Sequence, residues 1–124
     1  MKKRFIKFCF IENEYKIKIN DRYNYIDLLL YHTKIHAYVV IEVKIGKFHP
    51  SDLGQLIFYV NAIDDLEKTN IDTDTIGLLL CKDADSYVAK TSLMKNNIPL
   101  GISKYKFINE IPQYLERRLK EIER

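Results

Sequence analysis

The chain has 124 residues, 47% hydrophobic and 30% charged, with a net charge of +3. That length suits one compact domain over residues 1–124 with a real core, and is too short for two. No apolar run approaches the roughly 20 residues that span a bilayer. The basic N-terminus is broken at Lys7 and followed by no small-residue cleavage site, so neither a membrane span nor a signal peptide is expected. The small positive charge is compatible with a nucleic-acid partner but does not define one.

Taken in order, Lys3–Ile11 and Tyr15–Ile19 read as a short first hairpin turning at Asn13. The second run alternates with Lys16 and Lys18, the period of a strand wet on one face. Asn20-Asp21-Arg22 is a polar turn. Strands are expected at Tyr23–His32 and His36–Lys44, with His32 and His36 facing solvent beside the turn between them. Cys9 and Cys81 lie in apolar runs and read as buried free thiols, which fits a cytoplasmic protein.

The loop after Lys44 ends at Ser51, a helix N-cap candidate, with Asp52 in the first turn and Pro50 just outside. The helix should reach about Lys68. Leu53, Leu56, Ile57, Val60 and Ile63 form its apolar stripe, while Asp52, Gln55 and Tyr59 fall on a neighbouring stripe. Thr75–Cys81 is short, apolar and bounded by polar loops, the signature of a buried strand entered by a parallel crossover. A short helix over Ser86–Lys95 and an edge strand over Pro99–Phe107 follow, since proline is tolerated at an edge. Asn109–Arg124 has helical spacing, with Ile111, Leu115, Leu119 and Ile122 inward.

The charges inside the two central strands are the informative feature. Asp27 interrupts one apolar run, and Glu42 and Lys44 close the next. A carboxylate in such a setting is costly unless paired or metal-bound. If Thr33 and His36 close the turn, Asp27 stands opposite Glu42, with Cβ atoms about 5 Å apart on one face of the sheet. A slip of one residue would send them to opposite faces. Glu42 and Lys44, two apart, share that face. Two carboxylates that close suit a hard divalent cation, Mg²⁺ or Mn²⁺, and the Val43 carbonyl offers a third oxygen. Lys44 is then placed to orient water or stabilise charge developing on a phosphodiester. The same short spacing is also met by an ordinary ion pair at a strand end.

The run Tyr-Ile-Asp-Leu-Leu-Leu-Tyr-His (25–32), then Tyr-Val-Val-Ile-Glu-Val-Lys-Ile-Gly-Lys-Phe (38–48), then Gly-Gln-Leu (54–56) and Phe-Tyr (58–59), resembles the C-terminal nuclease domain of the YhcG-type family. Thr-Ile-Gly-Leu-Leu-Leu-Cys-Lys (75–82) and Asn-Ile-Pro-Leu-Gly-Ile (97–102) look like it too. That family belongs to the PD-(D/E)xK superfamily. The resemblance implies an α/β fold, a restriction-endonuclease-like mixed sheet flanked by helices. It implies a Mg²⁺- or Mn²⁺-dependent endonuclease acting on DNA or another structured, for example branched, nucleic acid. Asp27 and Glu42 match the metal-binding acids, Lys44 the catalytic lysine, and Gln55 and Tyr59 the polar positions facing the site. The superfamily's helix before the first core strand is missing here, so a second copy or a partner chain supplying that helical part is expected. Glu12 or Glu14 is the candidate for the acid such a helix provides. The alternative is a binding or assembly module that has lost turnover.

Overall fold

A computed structural model describes residues 8–105. Five strands and two helices follow one another: β1 (Phe8–Ile19), β2 (Arg22–His32), β3 (Ala37–Val43), α1 (Asp52–Leu66), β4 (Ile76–Cys81), α2 (Ser86–Leu93) and β5 (Leu100–Lys104). The strands form one sheet in sequence order, β1-β2-β3-β4-β5. The first three are antiparallel, and β4 and β5 run parallel to β3. The two parallel joins need long connections, and α1 and α2 supply them.

The expected first hairpin does not exist. Residues 8–19 are a single strand that pairs with β2 along its length, with a register shift between Phe10 and Glu12. Glu14 takes a left-handed backbone conformation (φ 47°), so the turn-like Asn13-Glu14 pair is absorbed as an irregularity inside the strand. The turn that reverses the chain is at Asn20 and Asp21, both at positive φ, a conformation these residues tolerate better than most. The β2–β3 register is the one expected if Thr33 and His36 close the turn: Leu28 pairs with Ile41, and His32 with Ala37.

Alternation along the central strands separates two buried clusters. Leu29, Val40, Leu79 and Cys81 lie with Leu53, Leu56, Tyr59, Val60 and Ile63 of α1. Leu30, Val39, Ile41, Leu78 and Leu80 form the second cluster with Tyr105. Glu42 is two residues from Val40 and therefore projects toward the α1 side. A side chain at Gly77 would stand 2.8 Å from both Val60 Cγ2 and Leu100 Cδ2, so α1 packs at close range on β4.

Several sequence expectations are corrected. Tyr59 lies in the core at 4% exposure, although the helical spacing placed it off the main apolar face. His32 is fully buried rather than solvent-facing; its Nδ1 accepts from the Lys34 and Ile35 N–H groups and so closes the turn from inside. Cys9 is exposed, while Cys81 is buried. Ser51 occupies the N-cap position of α1 but its side chain makes no capping bond. Asp85 caps α2 by accepting from Val88 N–H at 3.0 Å. The edge strand β5 is where the sequence puts it. The expected C-terminal helix and Lys2, Lys3, Arg4 and Phe5 lie outside the described residues. No helix among the described residues is long and apolar enough to cross a membrane.

Candidate active site

At the end of the β2–β3 ladder two carboxylates replace backbone acceptors. Asp27 N–H donates to Glu42 Oε2 at 3.0 Å, and Val43 N–H donates to Asp27 Oδ2 at 2.8 Å. Each acid thus holds the other strand's main chain, and the two side chains are fixed side by side. Asp27 Oδ1 and Glu42 Oε1 make no hydrogen bond with the described residues. Burial pushes the Glu42 carboxyl up to about 7, and the Asp27 charge pushes the same way, while the Asp27 N–H bond opposes it. Burial of the Glu42 carboxyl beside a second carboxylate disfavours its charged form, and a bound cation would favour it.

Lys44 continues β3 by one residue, its N–H donating to Leu80 O at 2.7 Å. Its carbonyl accepts from Tyr105 Oη at 3.2 Å. Its ammonium lies 3.2 Å from Asp52 Oδ1, at the start of α1. The chain between them is pinned by buried Phe48, by Phe48 N–H to Asp83 O at 2.8 Å and by Lys82 N–H to Gly46 O at 3.0 Å. Further along α1, Gln55 Nε2 donates to Tyr59 Oη at 3.2 Å. A pocket of about 310 Å³ opens here, lined by Glu42, Val43, Lys44, Ser51, Asp52, Gln55 and Leu79. It sits beyond the carboxyl end of a parallel strand, where open α/β sheets place their ligands.

The residues singled out from sequence therefore converge. Asp27 and Glu42 meet directly, Val43 and Lys44 follow on the same strand, and Gln55 faces the pocket with Tyr59 behind it as a buried support. His49 is exposed and contributes its backbone N–H to Asp52 Oδ2 at 2.8 Å. Glu12 and Glu14 are exposed on β1, and among the described residues no third acid, histidine or cysteine joins the carboxylate pair in a metal-holding cluster. Ser51, Asp52 and Leu79 line the pocket without having been selected as site residues, and of these Asp52 carries a charge. The advance signal for Asp52 was the helical stripe it shares with Gln55 and Tyr59.

The profile of the family described as the YhcG PDDEXK nuclease domain matches residues 5–120. The chain belongs to this family. It is 29% identical over 112 residues to YhcG of Escherichia coli (strain K12), covering 90% of this chain and 29% of that protein. The chain thus spans less than a third of that relative's length. Among solved structures, EndoMS in its complex with double-stranded DNA superposes with a TM-score of 0.58 at 20% identity, over 79% of this chain and 36% of EndoMS. A repair endonuclease from Pyrococcus abyssi gives 0.56 at 21% identity, over 79% of this chain and 38% of its own. The fold is restriction-endonuclease-like: a mixed five-stranded sheet carrying two helices.

Proposed function

We propose that this YhcG-family domain is a metal-dependent nuclease that hydrolyses phosphodiester bonds in DNA, including branched DNA. The observation that carries the reading is the reciprocal clasp of Asp27 and Glu42. It leaves one oxygen on each carboxylate with no hydrogen bond from the described residues, beside the pocket that Lys44 lines. Those two oxygens, with the Val43 carbonyl, fit a small hard cation that keeps several waters and takes few protein ligands. Mg²⁺ or Mn²⁺ bound there would supply charge neutralisation and a more acidic water.

This chain's own residues do the rest. The Glu42 carboxyl, whose pKa burial raises to about 7, must lose its proton to accept the cation. Lys44 presents an ammonium to the pocket, where it orients the attacking water or stabilises charge on the phosphorus oxygens. Gln55 contacts the substrate backbone and is oriented by Tyr59 Oη. A partner that completes the helical part, either a second copy or another chain, belongs to this reading, as does the cytoplasm as the site of action. The structural relatives, one in complex with double-stranded DNA and one a repair endonuclease, support DNA as the substrate class.

The test is cleavage of plasmid and branched DNA with Mn²⁺, repeated with EDTA and with Lys44→Ala. Cutting that needs metal and falls steeply to a residual rate in Lys44→Ala is expected. Cutting that Lys44→Ala leaves undiminished would refute the mechanism. Salt-sensitive DNA binding without any cutting would favour a binding module instead.

A further inference from the structure

We infer that Asp52 is the positioning residue for Lys44: its carboxylate holds the ammonium at the pocket in a fixed orientation. The inference rests on the nuclease reading for its kinetic arm. A lysine is a compact charge on a flexible four-carbon stem, so its place in a site is set by what its ammonium meets. Here that is Asp52 Oδ1, at 3.2 Å. Asp52 is itself locked, because its second oxygen accepts the His49 N–H at 2.8 Å while Asp52 N–H donates back to His49 O at 2.8 Å. This tight reciprocal turn fixes the carboxylate to the backbone at the start of α1. The Asp52 side chain is 17% exposed and the Lys44 side chain 34%, so the pair is only partly screened by solvent.

Two other roles for Asp52 fit less well. As a metal ligand it would have to join Asp27 and Glu42, yet no three such groups among the described residues form a metal-holding cluster. As a helix-start acid its charge would favour the helix dipole, but that needs no lysine and no place in the pocket. Asp52 lines the same cavity as Glu42 and Lys44. The ion pair bridges the end of β3 and the start of α1, so it ties the orientation of the lysine to the seating of the helix that carries Gln55.

The experiment compares wild type, Asp52→Asn and Asp52→Ser, each alone and with Lys44→Ala, in single-turnover and steady-state cleavage with Mn²⁺. Asn keeps the shape and an acceptor for His49 N–H while removing the charge. The expected result is a kcat about 10- to 100-fold lower, the scale at which small misplacements act. KM should stay within about 2-fold and the melting temperature unchanged. In the Lys44→Ala background Asp52→Asn should add nothing, because its effect runs through the lysine. A metal-free readout accompanies this. The two Lys44 ε-methylene protons should be inequivalent by NMR in wild type and collapse to one shift in Asp52→Asn and Asp52→Ser. An unchanged kcat, a loss confined to KM or stability, or an equal loss without Lys44 would overturn the inference. Collapsed ε-protons already in wild type would overturn it too. If wild type cuts nothing, the nuclease reading fails, and the NMR result alone decides whether Asp52 holds Lys44.

Discussion

Glu42→Gln should make the metal-free protein more stable at pH 8 and leave it unchanged at pH 4.5. The Glu42 carboxyl is raised from 4.5 to about 7, first by burial and then by the neighbouring Asp27 charge. Between those values the folded state holds a proton that the unfolded chain has released. Linkage then makes stability fall as pH rises through this window, with the full cost present above about pH 7. The shift corresponds to at most about 3 kcal/mol. Because the side chain is only partly buried, solvent screening cuts this to roughly 1–2 kcal/mol. Glutamine is isosteric, stays neutral, and can still accept the Asp27 N–H through its amide oxygen. The assay is urea unfolding in EDTA followed by far-UV circular dichroism, since the chain has 9 tyrosines and no tryptophan. Wild type should lose about 1–2 kcal/mol between pH 5 and pH 8 relative to the variant. Parallel pH profiles for the two proteins, or a less stable variant at pH 8, would refute the reasoning.

The remaining predictions concern the frame around the site. Gly77→Ala pushes a methyl group to 2.8 Å from Val60 and Leu100 and 3.1 Å from Leu56, and should cost about 1–3 kcal/mol in thermal unfolding. Gly54→Ala in the exposed first turn of α1 meets nothing within 4 Å, and should stabilise by about 0.5–1 kcal/mol in the same assay. Tyr59→Phe keeps the buried ring but removes the oxygen that orients Gln55. It should cost about 1 kcal/mol or less in stability and lower DNA cleavage several-fold, and unchanged cleavage would show that Gln55 needs no such support.

The central hairpin was legible because its two apolar runs have no register freedom: a slip would bury charge and expose Leu29 or Val40. A turn closed by Thr33 and His36 then sets Asp27 opposite Glu42, and the observed pairing of Leu28 with Ile41 keeps that register. The crossover to β4 was legible for a related reason, since a short run such as Ile-Gly-Leu-Leu-Leu-Cys, with no charged or strongly polar position, needs cover on both faces. The edges were harder to read. Asn13-Glu14 carries turn chemistry, yet Glu14 accepts a left-handed conformation within a strand whose partner continues past it. Helical spacing alone could not decide Tyr59, because a tyrosine can bury its ring and still present its hydroxyl to Gln55. His32 was misread because a turn histidine is usually wet, whereas this one folds inward to accept from the turn's own N–H groups. The pairing of Asp52 with Lys44 was not legible because the two lie across a loop, and no short-range pattern signals that contact.

The most direct measurement is a crystal of the protein soaked in Mn²⁺, with anomalous scattering used to find the ion. The account predicts a single strong peak bonded at about 2.0–2.3 Å to Asp27 Oδ1 and Glu42 Oε1, with the Val43 carbonyl beside it. A peak bound elsewhere, or an Asp27–Glu42 clasp that remains closed and metal-free at saturating Mn²⁺, would contradict it.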